Sequence, residues 1–428
     1  MDSFEIMTKS MLISRISDKI SRSNGILSLM SDLSDATSIH NPDLVRLGGG
    51  NPAHLPEAER IFFDAMNEIT KDPLRTASLL GDYSGPIGNK DIRSLTASYL
   101  SPLLGANLSA ENVAFFNGSQ NAFSYLLNAF SGTMQDGSFR QICLPIVPEY
   151  IGYADQTWEE NVFLANIPKI ESISQNRFRY RIDRKTCSFT NAGALLISRP
   201  TNPTGNVLST DDLNFVYEKA REHDIPLLVD LAYGNPFPNL IGNADPVKYL
   251  PGMILSLSFS KVGLPGVRFG IIIAEPTTIE LLSAFGATGN LSSSNLGTEL
   301  ARIFWEQNTL VSLSNNILRP YYESKCEEAL AILDETFQQK QINYQIHAPD
   351  GGFFLWISFP DLKISNQELY LLCKERNVYI VSGHYFFPGL SSDFSHKRNC
   401  IRLTYSRDKK EIARGAEIIA EIVAKTCA

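Results

Sequence analysis

The chain is poor in the features that mark several protein classes. It has no excess of basic residues: 38 Lys and Arg stand against 46 Asp and Glu, a net charge of −8. A nucleic-acid scaffold, which carries a basic face, is therefore not expected. A local pocket can still be positive on an acidic protein, so small anions remain possible ligands. No run approaches the roughly 18 apolar residues of a membrane span, and the N-terminus carries Asp2 and Glu5 without a long apolar stretch. Neither a membrane anchor nor a signal peptide is expected. The six cysteines (Cys143, Cys187, Cys326, Cys373, Cys400 and Cys427) form no CxxC pair and no regular spacing. That pattern predicts reduced thiols and a cytoplasmic protein rather than a disulfide framework, and no metal site. Internal repeats, low-complexity tracts and Gly/Ser linkers are missing too.

What is present, across 428 residues, is an alternation. Short apolar runs recur: NVAFF (112–116), QICLPIV (141–147), NVFLANI (161–167), ALLIS (194–198), IPLLVD (225–230), MILSLS (253–258) and FGIIIA (269–274). They are apolar on successive residues, as strands covered on both faces must be. Helical stretches lie between them, such as 209–224 with its Ser-Thr-Asp start. The rhythm predicts an α/β fold with a mostly parallel central sheet flanked by helices. From about 296 to 340 the pattern is helical, interrupted by Pro320, and runs at 351–359, 378–383 and 400–406 then precede a terminal helix. The expected organisation is an N-terminal segment 1–54 packing with a small domain, a large domain 55–305, and a small α+β domain 306–428. The first dozen residues extend beyond it.

Ligand sites in such sheets lie at the carboxyl ends of strands. Here those ends carry NGSQ (117–120), PEY (148–150), RPTNPTGN (199–206), DLAYG (230–234) and SFSK (258–261). Gly118, Ser119 and Gln120 open a helix, where free amides make an anion site or Ser119 merely caps. Asp230 ends a fully apolar strand and needs a cation or hydrogen bonds, or caps the next turn. Asn202 sits in a turn cluster and is a weak ligand candidate alone. Lys261 is the pivotal residue. A lysine buried at a strand end loses charge through desolvation and becomes the neutral amine that a Schiff base with an aldehyde requires. Lysines more often snorkel to solvent, but Ser258, Ser260 and Arg268 beside it are the groups that hold a phosphate. LGGGNPA (47–53) is a bend where backbone can approach a ligand, and without a strand and helix around a G-x-G-x-x-G it is not a dinucleotide fingerprint.

In order, G-S-Q, P-x-Y, N-P-T-G, D-x-A-Y, S-x-S-K, R-x-G and a late R-L span most of the chain. This set resembles the aspartate-aminotransferase-like (fold-type I) enzymes that use pyridoxal 5′-phosphate. LGGGNPA, YSGPIG, PEYIGYAD, SRPTNPTGNV, LPGVRFGIIIA, HYFFPGL and NCIRLTY are similar to the bacterial valine–pyruvate aminotransferase group. The resemblance implies that Lys261 bonds to the cofactor aldehyde and shuttles a proton. It implies Asp230 at the pyridine nitrogen, Tyr233 with Asn202 at the phenolic oxygen, and Tyr150 over the ring. Ser119, Gln120, Ser258 and Arg268 would hold the phosphate, with Ser260 nearby. Tyr83 would reach the phosphate of a neighbouring subunit, making a homodimer with shared sites, and Arg402 would grip the substrate carboxylate, helped by backbone near Gly50. The implied reaction exchanges L-valine and pyruvate for 3-methyl-2-oxobutanoate and L-alanine, with Tyr385, Phe386 and Phe387 as candidates for the side-chain pocket. A methylene changes discrimination by only roughly 1–3 kcal/mol, so other small amino acids remain alternatives, as does elimination on the same cofactor. A DNA-binding regulator of this fold needs more than the first 50 residues supply.

Overall fold

A computed structural model describes residues 12–22, 25–27, 30–31, 43–242 and 244–427. Most of the proposed N-terminal extension thus lies outside the described residues, as does part of the 1–54 segment.

The strands, in chain order, are β1 (Val45–Arg46), β2 (Val113–Phe116), β3 (Gly132–Thr133), β4 (Phe139–Leu144), β5 (Phe163–Ala165), β6 (Lys169–Ser174), β7 (Arg177–Arg181) and β8 (Ala192–Ser198). They continue with β9 (Leu227–Asp230), β10 (Met253–Ser258), β11 (Gly270–Ile273), β12 (Gln345–His347), β13 (Phe354–Ser358), β14 (Val378–Tyr379), β15 (Val381–Ser382) and β16 (Cys400–Thr404). The main sheet runs β2-β11-β10-β9-β8-β4-β3, with β5 also beside β4. Its centre is parallel, β10 to β9 to β8 to β4, as the crossover helices demand. β11 runs antiparallel to both β10 and β2. The seven apolar runs each overlap one of these strands, and β2, β9, β10 and β11 are buried at every position. Burying each Leu, Ile or Val side chain in such a core is worth about 1.5–3 kcal/mol, which is why these strands are built mostly from such residues.

The helices start where side chains can satisfy free amides. Ser209 accepts from the Asp212 amide at the start of Thr210–Glu222, and Asn89 accepts from the Asp91 and Ile92 amides at the start of Lys90–Leu104. The expected interruption at Pro320 takes the form of a π-helical segment, Ser314–Leu318, that separates the α-helical turn Thr309–Leu313 from Arg319–Gln339. Pro320 is the second residue of Arg319–Gln339, directly after that π-helical segment, where a proline's missing N–H leaves the regular ladder broken.

A second sheet runs β15-β16-β13-β12-β7-β6. Its core pairs are β13 and β16, antiparallel, with Trp356 opposite Arg402. Residues 169–181 form an antiparallel hairpin that joins this sheet through the parallel pairing of β7 with β12, although the hairpin lies between strands of the main sheet in sequence. β1 pairs with β14, and the helix Arg15–Ser21 instead touches the main-sheet side, where Lys19 Nζ donates to the Thr157 hydroxyl at 2.6 Å. Among the described residues no helix is long and apolar enough to cross a membrane.

Candidate active site at the strand ends

The parallel register aligns Ser198, Asp230 and Ser256 across β8, β9 and β10, so the groups that end those strands share one edge of the sheet. Asp230 is buried, and burial raises its carboxyl above the usual range. The Ala232 amide (2.9 Å to Oδ1), the Tyr153 hydroxyl (2.9 Å to Oδ2) and the charge of Lys261 oppose that rise.

Lys261 lies three residues past β10 and is half-buried; its Nζ donates to the Gly50 carbonyl at 2.8 Å. Loss of hydration pushes the amine down to about 8, with Arg402 and Arg268 adding to the shift and Asp230 opposing it. The rings of Tyr233 and Phe353 stand 5.5 and 5.7 Å from Nζ. A Cβ on Gly50 would come 3.6 Å from that nitrogen.

Beside the lysine is an anion cradle. The helix Ser119–Phe130 begins at Gly118, which has φ +87 and offers no side-chain cap. A Cβ there would lie 2.4 Å from Arg268 Nη2, so only glycine lets that guanidinium approach the helix start. Arg268 itself donates to Ser260 Oγ, the Pro265 carbonyl and the Asn117 carbonyl at 3.4–3.5 Å, the outer edge of hydrogen bonding, so none of its donors is firmly engaged. Ser258 Oγ accepts from the Ser260 amide at 3.2 Å, and Ser119 Oγ donates to the Leu257 carbonyl at 3.3 Å.

Arg402 comes from β16 of the second sheet and is 2% exposed. Nη1 donates to Asn202 Oδ1 (2.8 Å) and Nη2 to the Gly48 carbonyl (2.6 Å), both neutral, while Nε has no partner. The guanidinium sits 4.1 Å from the Phe354 ring centroid, and burial lowers it to about 10. Tyr233 packs edge-on against Phe353 and Phe354, and burial holds its hydroxyl well above its ordinary value. Tyr150 donates to Gln120 Oε1 at 3.1 Å, and burial raises its hydroxyl to about 12.

Most of the residues singled out in the sequence are thus linked by contact or field around Lys261: Gly50, Asp230, Tyr233, Arg268 and Arg402 directly, Tyr150 with Gln120 through Arg402's field, Asn202 through its bond to Arg402. Tyr83 stands apart. It is 80% exposed and lines a different cleft of about 510 Å³ with Asp72, Arg75 and Asn295. Two residues escaped the sequence reading, Tyr153 and Glu149. Glu149 is fully buried, with Oε1 accepting from the Ser198 amide at 2.8 Å. Their signal was a carboxylate and a tyrosine inside PEYIGYAD, directly after an apolar strand.

A ligand that satisfies this edge must bring an anion to Arg268 and the Gly118 helix start, an electrophilic carbon to Lys261, a basic atom to Asp230, and a carboxylate to the unpartnered Nε of Arg402. Pyridoxal 5′-phosphate with an amino acid carries all four, and the residues fit it.

The comparisons with known proteins agree. The family model described as aminotransferase class I and II matches residues 159–419. The valine–pyruvate aminotransferase of Escherichia coli (strain K12) is 36% identical over 419 residues, covering 98% of this chain and 99% of that protein. The crystal structure of valine–pyruvate aminotransferase from Salmonella typhimurium LT2 superposes with a TM-score of 0.85 at 35% identity, covering 94% of this chain and 99% of that one. A crystal structure from Psychrobacter arcticum 273-4, whose own assignment as an amino-acid aminotransferase is provisional, gives 0.93 at 35% identity, covering 97% and 99%. The chain therefore belongs to the class I and II aminotransferase family: it is an aminotransferase of the type I fold that works with pyridoxal 5′-phosphate.

Proposed function

We propose that this aminotransferase moves the amino group of L-valine to pyruvate, giving 3-methyl-2-oxobutanoate and L-alanine, at the edge built around Lys261. The observation that carries the site is the pairing of a lysine lowered to about 8 with a buried guanidinium, Arg402, whose partners are all neutral. The identity of the substrates rests on the relatives, which are 35–36% identical over nearly the whole chain.

When bound, the cofactor supplies an electron sink for the pair left at the substrate Cα. The chain's own residues do the rest. Lys261 would hold the cofactor through its Nζ, and the freed amine would move the proton at the substrate Cα. Asp230, supported by Tyr153, would face the ring nitrogen and favour its protonated form. Tyr233 and Asn202 would bind the ring oxygen, and Tyr150 would pack beside the ring. Ser119, Gln120, Ser258 and Arg268, with Ser260 nearby, would hold the phosphate. Arg402 binds the substrate α-carboxylate beside Gly50. In the free chain the Gly50 carbonyl holds Lys261 and Asn202 holds Arg402, so both donors are kept aligned until ligands replace those neutral partners.

The working form is a homodimer in the cytoplasm. Tyr83 at 80% exposure, with Leu74 at 83% and Leu80 at 78%, presents an apolar surface that a second copy would cover, and Tyr83 would cross to the partner's phosphate. The large domain is 55–305 and the small domain 306–428, the hairpin 169–181 adding two strands to the smaller sheet.

The test is a panel of amino donors with pyruvate as acceptor, scored by alanine formed. Valine is expected among the best donors. Release of ammonia in place of alanine would point to elimination.

A further inference from the structure

Glu149 has no place in the chemistry above, yet it is fully buried one residue before Tyr150. Its Oε1 accepts from the Ser198 amide at 2.8 Å, and Oε2 lies 2.5 Å from Ser198 Oγ and 3.3 Å from the Tyr150 amide. None of these partners is cationic. Its own amide donates to the Phe386 carbonyl at 2.8 Å. Ser198 is the residue of β8 in register with Asp230 of β9, and it stands four positions before Asn202. A second carboxyl is therefore held against β8, the strand next to the one that carries the first.

We propose that Glu149 is a positioning residue that keeps a proton beside Asp230 and fastens the Tyr150 turn to the strand end leading to Asn202. This rests on the reading of Asp230, Tyr150 and Asn202 as cofactor contacts. Two buried carboxyls on either side of the end of β8 disfavour each other's ionisation, and their surroundings decide which one carries the charge. Asp230 has Lys261 nearby, with the Tyr153 hydroxyl and the Ala232 amide as donors. Glu149 faces Ser198 on β8, Asp230 on β9, and Tyr150 and Tyr153 on the turn after it; burial pushes it up to about 8, against the Ser198 hydrogen bonds and with Asp230 adding to the rise. The Ser198 amide and hydroxyl both donate to Glu149 and fix its carboxyl in place, and with no cation among its hydrogen-bond partners its complete burial favours the protonated acid. With the proton on Glu149, the one negative charge at this edge stays on Asp230, where the ring nitrogen needs it.

The test compares two variants of the whole enzyme. Glu149→Gln imitates the protonated acid, since its carbonyl accepts from the Ser198 amide and its NH₂ donates to Ser198 Oγ. Glu149→Ala leaves both Ser198 groups without partners. Far-ultraviolet circular dichroism of the apoenzymes establishes that both fold, and the readouts are the dissociation constant of pyridoxal 5′-phosphate and the pH titration of the bound cofactor's visible spectrum. Glu149→Gln is expected to bind the cofactor within about twofold of the parent and Glu149→Ala about tenfold more weakly. The parent spectrum should carry a titrating component near pH 8 that Glu149→Gln lacks. Equal weakening in both variants would show that an ionised Glu149 is required, and parental affinity in Glu149→Ala would show that the tie does nothing; either overturns the proposal, as does an identical titration of the parent and Glu149→Gln. Borohydride labelling of Lys261 in the parent separates the two levels: a labelled Lys261 with any of those results sinks this proposal alone, whereas no label there sinks the underlying reading as well.

Discussion

A buried polar cluster in the smaller sheet and the one at the strand ends treat charge in opposite ways. In the smaller sheet, the Tyr180 hydroxyl lies 2.6 Å from His396 Nδ1 and accepts from Trp356 Nε1 at 3.0 Å, while the Tyr180 amide donates to His347 Nε2 at 3.2 Å. Burial lowers His396 to about 4 and His347 to about 3, so both rings are neutral at physiological pH. That cluster is closed, its members bonding chiefly to one another, with only His347 Nδ1 left over. At the strand ends, Arg402 and Lys261 are cations whose hydrogen-bond partners are neutral, and among the described residues Asp230 is the carboxylate that bears on Lys261's charge. The first cluster spends burial on packing a specific small-domain core. The second spends it on keeping charges under-partnered, which is tolerable only where a ligand is to bring the missing ones.

The sharpest way to break the contrast is to remove the amine. Lys261→Ala should lower turnover by on the order of 10⁴-fold or more while the melting temperature stays near the parent's, as a residue serving chemistry and not packing would behave. Steady-state kinetics and a thermal melt check both halves. Next comes the guanidinium. Arg402→Ala should raise KM for the amino donor by about 10- to 100-fold, because a charge-assisted pair is worth about 1.5–3 kcal/mol. The cofactor dissociation constant should move far less, and equal losses would refute the assignment.

The closed cluster answers to pH instead. Both histidines have folded values below the ordinary 6.5, so the unfolded chain binds more protons between that value and about 4. Stability is therefore fully present above pH 6.5 and is lost as pH falls, by up to about 1.4 kcal/mol per pH unit for each excluded proton. Melting temperatures measured at falling pH should drop, and His396→Asn should flatten part of that slope. The smallest effect belongs to Tyr153→Phe, which deletes one hydrogen bond to Asp230. Cofactor affinity should fall about three- to tenfold, corresponding to roughly 1 kcal/mol, and equilibrium titration of the apoenzyme would reveal it.

The open cluster was largely legible in the sequence because the strands that end in it are fully buried. A run such as IPLLVD reports its burial on both faces through composition alone, and its first polar residue marks the strand end. Direction is another matter. FGIIIA is as apolar as its neighbours, and nothing in it distinguishes the antiparallel β11 from the parallel strands beside it. The hairpin 169–181 was missed for the converse reason. β6 is exposed at every position, so KIESIS carries no apolar signature, and its sheet partner comes from residues 345–347, far along the chain. Glu149 and Tyr153 were hidden inside a recognised motif: the sequence places them after a strand, but only the register of β8 with β9 brings Ser198 and Asp230 to them. Tyr83 was singled out by resemblance alone, and its exposure within one chain leaves its role to a second copy.

The central claim concerns one nitrogen. Borohydride reduction of the enzyme with its cofactor, followed by digestion and mass mapping, should place the pyridoxyl group on the peptide containing Lys261 and on no other lysine. A pyridoxyl group on a different residue, or unmodified Lys261 in a protein that nonetheless turns over, would contradict the account.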